Sequence, residues 1–344
     1  MPENGRVGSA HGGPSTRELV LERIREDSRF LLATHENMDG DALGSLVAMQ
    51  GLLSALGKDS RIFIAAGELP LPHEYRFFGL EGLIQTPPGD VSEHTVIFLD
   101  CGNVDRNSAE PLRGGAHLIN IDHHHDNTHF GSIDHVVPEA SSTAEIVWDL
   151  ARDLGVTPTV AMAQALYVGL ITDTGRFMYE NTTPRAHQMA AALIEAGVDV
   201  QGIYRRLFEE LPFAKLLLLA RGLSRVERFD LGELTIASLS AEDFREAGAE
   251  ESYSEGIIDH LRSVQGTKVA ALVRELTAED RRGERKVSLR AVDDDVDVSM
   301  IARARGGGGH RRAAGFSTSL EPPELIEFLR REIAAQLHPA PTPA

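Results

Sequence analysis

The chain has 344 residues and a formal net charge of −18, with 42% hydrophobic and 25% charged residues. This composition is typical of soluble globular proteins, and the length allows two domains. The negative charge argues against a broad electrostatic grip on long nucleic acid, but not against a small anionic substrate held by local charges. No apolar run reaches the ~18 residues that a membrane span requires. The single cysteine, Cys101, excludes an internal disulfide and favours a reducing cytoplasm.

The first half of the chain predicts an α/β fold. Residues 1–18 have no signal-peptide pattern, and we predict a disordered leader there. Four apolar runs rich in branched residues predict strands: RFLLATH (29–35), RIFIAA (61–66), TVIFLD (95–100) and AHLINID (116–122). Apolar residues at helical spacing over 41–57 separate the first two runs. This alternation predicts a parallel sheet with helices on both faces.

The rest of the chain divides into a helical region and a second, smaller α/β domain. Helices are predicted at 141–155, 157–177 and 182–197, and strands at 233–240, 267–276 and 285–292, before a last helix at 322–337. We therefore predict a first domain at 19–210, a linker helix at 211–228, a second domain at 229–337 and a disordered tail at 338–344.

Candidate metal ligands follow the predicted core elements. The first run is followed by His35, Asp39 and Asp41, which could instead form a solvated loop with Asp41 as a helix cap. Asp100 ends the most apolar strand, where an unpaired carboxylate would be costly, although a turn-capping role is an alternative. Ligands bind beyond the carboxyl ends of parallel strands, so these groups lie where a site is expected.

The segment IDHHHDN (121–127) is the strongest single signal. It places Asp122 and three histidines directly after a strand, and an exposed polar turn is the weaker explanation. Asp173, in TDTG, follows a wholly apolar helix and is either a ligand or a turn residue. Imidazole and carboxylate together suit Mn²⁺, Fe²⁺, Co²⁺ or Zn²⁺. The number of ligands is sufficient for two ions that clamp a phosphoryl group and bind a hydroxide nucleophile, with Asp100 between them.

The segment GGGGHRRAAGF (306–316) predicts an anion site in the second domain. Consecutive glycines let backbone N–H groups approach an anion, whereas a flexible linker is the alternative. Arg290 ends a predicted strand and can pair with a phosphate, although it could be an ordinary edge arginine.

Four of these motifs together resemble the four motifs of the DHH phosphoesterase superfamily: HENMDGD, LD at 99–100, DHH at 122–124 and TDTG. The segment GGGGHRRAAGF resembles the signature of the partner domain of that superfamily, DHHA1. NTTPRAH (181–187) and VSLR (287–290) look most like the nanoRNases, which act as oligoribonucleases and phosphatases of 3′-phosphoadenosine 5′-phosphate (PAP). Two positions depart from the usual pattern: Met38 stands where most relatives have proline, and Arg176 where a small or neutral residue is usual.

The resemblance implies a role for each matching position. One Mn²⁺ would be bound by His35, Asp39 and Asp100, and the other by Asp41, Asp100, His123 and Asp173. The catalytic residues would be Asp100, His124 and Asp122. His124 would face the substrate phosphate, and Asp122 would orient the histidines, whereas His125 would have no role. The distal phosphate or nucleotide would be bound by Ser288, Arg290, Gly307, Gly308, Gly309 and His310.

The activity expected from the resemblance is Mn²⁺-dependent hydrolysis of short oligoribonucleotides to mononucleotides and of PAP to AMP. Cyclic dinucleotides or their linear products are further candidate substrates, and the relatives indicate a homodimer. A RecJ-like exonuclease would need an additional module and a basic channel, and pyrophosphatases or exopolyphosphatases of the superfamily have a different second domain. A dinucleotide-binding protein with a vestigial site is a third alternative, against which the complete ligand set argues.

Overall fold

The computed structural model describes residues 14–36, 38–105, 107–276, 281 and 283–338, apart from the side chain of His310. These residues form two compact units, which divide between Glu210 and Leu211. Most of the expected leader and tail, residues 1–13 and 339–344, lies outside the described residues. The first helix begins at Thr16, inside the expected leader, because Ser15 and Glu18 form a capping box there.

The first unit contains five strands and six α-helices among its described residues. The strands are β1 (Arg29–Ala33), β2 (Asp59–Ile62), β3 (Thr95–Leu99), β4 (His117–Asp122) and β5 (Ile133–Val136). The helices are α1 (Thr16–Glu26), α2 (Gly40–Ala55), α3 (Thr143–Asp153), α4 (Val160–Asp173), α5 (Pro184–Glu195) and α6 (Val200–Tyr204). The expected strands and helices are present, although the strand expected at 61–66 lies at Asp59–Ile62. Strand β5 and helices α1 and α6 were not predicted, and the helix expected to reach residue 177 ends at Asp173.

The sheet of the first unit is wholly parallel, in the order β2-β1-β3-β4-β5. After β1 the chain moves to one side of the sheet, and after β3 it moves to the other. This reversal between β1 and β3 opens a crevice at their carboxyl ends, which is where open parallel sheets bind ligands.

The two faces of this sheet are covered differently. Helices α2, α3 and α4 pack on one face, where they bury Leu32, Ile97 and Ile121. The other face buries Leu31 and Phe98 beneath Cys101, Val104, Ala109 and Leu112, the last of which lies in a 3₁₀ turn at Glu110–Gly114. We expected helices on that face as well. A chain segment without α-helix covers it in the described part of the unit.

The second unit contains a six-stranded mixed sheet in the order β10-β11-β9-β8-β7-β6. Its strands are β6 (Glu227–Phe229), β7 (Leu234–Leu239), β8 (Val269–Glu275), β9 (Arg285–Ala291), β10 (Gly308–His310) and β11 (Ala313–Thr318). Its helices are α7 (Phe213–Ser224), α8 (Ala241–Ala247), α9 (Ile257–Arg262), α10 (Val298–Arg303) and α11 (Pro322–Leu337). The expected linker helix is α7, whose Leu218 packs with Leu239 and Phe244 of this unit.

Side chains alternate along β9 and place Lys286, Ser288 and Arg290 on one face. Val287, Leu289 and Ala291 belong to the core shared with α10 and α11. Ser288 and Arg290 therefore point to the opposite face. None of the described helices in either unit is long and apolar enough to cross a membrane.

Candidate metal centre

The expected metal ligands and catalytic residues of the first unit converge at the crevice between β1 and β3. His35 follows β1, Asp100 follows β3 directly, and Asp122 is the last residue of β4. Asp39 caps α2 through its side chain, which accepts hydrogen bonds from the backbone of Asp41 and Ala42, each at 3.0 Å. The set is completed by Asp41 in the first turn of α2, His123 and His124 after β4, and Asp173 at the end of α4.

The two carboxylate oxygens of Asp100 face two different groups of ligands. Its Oδ2 lies 3.5 Å from Nε2 of His35, which is 4.0 Å from Oδ1 of Asp39. Its Oδ1 lies 3.6 Å from Nε2 of His123, which is 3.5 Å from Oδ2 of Asp173. Asp41 lies with His123 and Asp173 in a set of ligand atoms within 4.8 Å of one another. Asp100 is thus the carboxylate common to both groups.

These separations fit bound cations. Two ligand atoms that each lie about 2.1 Å from one ion are roughly 3.0–4.2 Å apart, depending on the angle between them. The ring orientations fit as well, because Nδ1 of His35 donates to the carbonyl of Glu36 at 2.6 Å and Nδ1 of His123 donates to that of Ala140 at 3.4 Å. Each histidine therefore presents Nε2 to the carboxylates, as metal-binding histidines held by backbone carbonyls do.

Asp41 is held by the start of helix α3. Its carboxylate accepts hydrogen bonds from the backbone N–H groups of Thr143 at 2.6 Å and Ala144 at 2.9 Å, and from Ser45 Oγ at 3.3 Å. The positive end of the helix dipole favours a negative charge at this point. Thr143 also donates through Oγ1 to Oδ1 of Asp100 at 3.1 Å, so α3 contacts two of the carboxylates.

Asp122 holds the imidazole of His124 in place. The buried Asp122 accepts at Oδ1 from Nδ1 of His124 at 2.8 Å and from the backbone N–H of His123 at 2.9 Å. Its Oδ2 accepts from Nδ2 of Asn127 at 2.6 Å, and Oδ1 of Asn127 accepts from Asn120 at 3.1 Å. Asp122 thus contacts His123 and His124 without belonging to either group of ligands around Asp100.

The electrostatics reflect the concentration of negative charge. Burial and the charge of Asp100 raise the pKa values of Asp41 and Asp173 well above the ordinary value. Burial opposes ionisation of Asp100 too, but the hydrogen bond and charge of His35 and the charges of the other histidines hold its pKa below the ordinary value. Although burial lowers the pKa of an imidazole, the hydrogen bond and charge of Asp100 raise that of His35 to about 9. Divalent cations at these positions would replace such protons.

Comparison with known proteins identifies the family. The model of the DHH family N-terminal domain matches residues 29–170, and that of the DHHA1 domain matches residues 233–338. The bifunctional oligoribonuclease and PAP phosphatase NrnA of Thermus thermophilus is 36% identical over 303 residues, which are 86% of each chain. This chain belongs to the DHH–DHHA1 family of phosphoesterases.

Two other proteins are similar to this chain over nearly the same length. The NrnA protein of Bacillus subtilis is 25% identical over 87% of this chain and 93% of its own. The crystal structure of an exopolyphosphatase-related protein from Bacteroides fragilis superimposes with a TM-score of 0.83 at 21% identity, covering 93% of this chain and 96% of that one. The latter similarity concerns the fold alone.

In the DHHA1 unit, five of the six expected site residues lie on β9 and β10, the two strands that flank β11, and Gly307 directly precedes β10. Ala313 of β11 is in register with Arg290 on one side and His310 on the other, and Gly315 is in register with Ser288 and Gly308. The side chain of His310 lies outside the described residues. We expected a glycine loop, but Gly308 and Gly309 belong to the edge strand β10. Gly309 has a φ of 133°, a conformation that side chains disfavour.

Three residues that contact the candidate ligands or Asp122 were missed by sequence reasoning. Thr143 donates a hydrogen bond to Asp100, and Asn127 donates one to Asp122. Asn181 donates through Nδ2 to Oδ2 of Asp173 at 3.3 Å. The signals available were the position of Asn127 at the end of IDHHHDN and that of Asn181 at the start of NTTPRAH. Of the departures from the family pattern, Met38 is buried in the core, and the guanidinium of Arg176 lies over the ring of Phe208. His125 is exposed.

Proposed function

We propose that this DHH–DHHA1 protein is a Mn²⁺-dependent phosphohydrolase that degrades short oligoribonucleotides to mononucleotides and converts PAP to AMP. The observation that carries the proposal is the position of Asp100, whose two oxygens face two groups of ligands. The substrates are supported by the 36% identity to an oligoribonuclease and PAP phosphatase across both domains.

In this proposal the residues of the first unit hold two cations. One is bound by His35, Asp39 and Asp100, and the other by Asp41, Asp100, His123 and Asp173. When bound, such cations polarise phosphoryl oxygens and lower the pKa of water. The mixture of imidazole and carboxylate ligands supports Mn²⁺.

The remaining residues bind and orient the substrate. Asp122 fixes the ring of His124 by the 2.8 Å hydrogen bond to Nδ1, so that His124 can meet the substrate phosphate. In the DHHA1 domain, the distal phosphate is bound by Ser288, Arg290, Gly307, Gly308, Gly309 and His310. We also propose that the protein is a homodimer in the cytoplasm, and that cyclic dinucleotides or their linear products are further substrates.

A panel of substrates with Mn²⁺ tests the proposed activity. It contains ribonucleotides of two to about ten residues, PAP, linear and cyclic di-AMP, and pyrophosphate. With a net charge of −18, the protein has little grip on a long polyanion, so the rate should fall steeply with oligonucleotide length. Pyrophosphate as the best substrate would overturn the proposal, and equal rates on long single strands would favour a RecJ-like exonuclease.

Asp100→Asn tests the shared position of this carboxylate. The variant should lose several orders of magnitude in rate on every substrate and bind less metal, as measured by elemental analysis. Asp105→Asn is the matched control, because Asp105 is an exposed aspartate paired with Arg113 at 3.0 Å. An Asp100→Asn variant that keeps more than about a tenth of the wild-type rate would contradict the two-metal proposal.

A further inference from the structure

The segment that follows Asp173 has a strained backbone. Gly175, Arg176 and Phe177 have φ values of 55°, 63° and 64° in succession. Arginine and phenylalanine rarely adopt this left-handed conformation, and it persists where surrounding contacts impose it, often at functional sites. The ring of Phe177 supplies one such contact, since it stacks on His187 with 4.8 Å between centroids.

Hydrogen bonds fasten both ends of this segment beside the candidate metal centre. The carbonyl of Thr174 accepts from the backbone N–H groups of Met178 and Tyr179, each at 3.0 Å. At the far end, Asn181 donates to the carbonyl of Asp173 at 3.1 Å and to its carboxylate at 3.3 Å. The segment is therefore a short closed loop whose two ends meet at a candidate metal ligand.

The loop exposes an aromatic ring that has one covered face. A Cβ built on Gly175 would lie 2.4 Å from Cζ and 2.5 Å from Cε1 and Cε2 of Tyr179. A point this close to three ring atoms at nearly equal distances lies above the plane of the ring, so the ring packs face-on against Gly175. Tyr179 is nevertheless 50% exposed, and its neighbour Met178 is 67% exposed. The outer face of the ring has no aromatic or cationic partner in the described part of the chain.

The loop that carries Tyr179 also carries an exposed arginine. Arg176 is exposed, and its guanidinium lies 5.1 Å from the centroid of the Phe208 ring. It forms no ion pair with a carboxylate of the residues that the structure describes. A phosphate of a bound ligand can therefore pair with Arg176 without displacing a salt bridge.

We propose that the outer face of Tyr179 stacks a nucleobase of the substrate. The inference rests on the proposed function and adds a subsite for one base, next to the phosphate chemistry at Asp173. Every base has a π-face, so such a platform selects nucleotides over simple phosphate esters without selecting a sequence. The alternative occupant is a second copy of the chain that covers the same ring.

The test combines two variants with three substrates. Tyr179→Ala removes the ring, and Tyr179→Phe keeps it. The substrates are the 5′-phosphorylated adenosine dinucleotide and two analogues that lack either the 5′ or the 3′ base. On the intact dinucleotide, Tyr179→Ala should lower kcat/KM by about 5- to 150-fold, mainly through KM, and Tyr179→Phe by less than about 3-fold.

The analogues separate stacking from other effects. The analogue that lacks the stacked base should have the same low kcat/KM with the wild type as the intact dinucleotide has with Tyr179→Ala. Tyr179→Ala should not lower kcat/KM for that analogue further. Equal kcat/KM of the wild type on all three substrates would overturn the proposal, as would a Tyr179→Ala variant that is monomeric where the wild type is dimeric by light scattering. A wild type that does not cleave the intact dinucleotide would refute the proposed function instead.

Discussion

Replacing Asn127 with alanine should destabilise the DHH domain by roughly 2.5–6 kcal/mol. Asn127 is buried and donates to the Asp122 carboxylate at 2.6 Å, a hydrogen bond to a charged group worth ~1.5–3 kcal/mol. The change would also leave the amide of Asn120 without its acceptor, and a buried orphaned group costs about 1–3 kcal/mol. The domain should still fold, because total stabilities are typically 5–15 kcal/mol.

Urea unfolding monitored by tryptophan fluorescence can measure this loss. Trp148 is the only tryptophan of the chain and lies largely buried in α3 of the same domain. Asn103→Ala is the control, because Asn103 is exposed and accepts one backbone hydrogen bond from Asp105 at 2.7 Å. Since Asp122 orients His124, Asn127→Ala should also lower kcat more than it changes KM. A stability loss below about 1 kcal/mol with unchanged kcat would refute the reasoning.

Two further predictions concern the other domain and the response to pH. Arg290→Ala should lower kcat/KM for the dinucleotide and PAP by roughly 10- to 150-fold, because a charge-assisted hydrogen bond is lost, whereas hydrolysis of bis-p-nitrophenyl phosphate should be almost unaffected. Arg245→Ala is the control, because Arg245 is exposed. An equal loss of kcat/KM on both types of substrate would place Arg290 in the catalytic centre or the fold. Burial and the charge of Arg17 lower the pKa of His135 from 6.5 to about 4. Folding therefore favours the neutral imidazole, and the stability that this contributes is lost as the pH falls from 6.5 towards 4. The free energy of unfolding should therefore drop by about 1–2 kcal/mol more between pH 7 and pH 5 in the wild type than in His135→Gln, and equal drops would contradict this assignment.

The sequence indicated the positions of the candidate site residues better than the interactions that hold them. His35, Asp100 and Asp122 follow apolar runs, and their convergence needs only a parallel sheet. The network around Asn127 was missed because its partners include the carbonyl of Cys101, 26 residues earlier in the chain, and a sequence pattern does not reveal such pairs.

Backbone conformation and strand pairing were also difficult to predict. Asp100 has a φ of 56°, which no local pattern indicates, although aspartate tolerates this region better than most residues. Strand β5 was missed because Ile133–Val136 is short and half polar, and its pairing with β4 decides its structure. Likewise, Gly308 and Gly309 are extended because β11 pairs with them, whereas their sequence favours a loop.

The fold itself offsets part of the charge that the candidate metal centre collects. Asp39 accepts the first N–H groups of α2, and Asp41 accepts those of α3, so the positive ends of two helices face the same crevice. This support is incomplete, because burial and Asp100 still raise the pKa of Asp41 well above its ordinary value. The remaining negative charge must be balanced either by protons on carboxylates and histidines or by cations. Cation binding should therefore stabilise this domain, and that contribution should weaken when protons compete with the cations for the same groups.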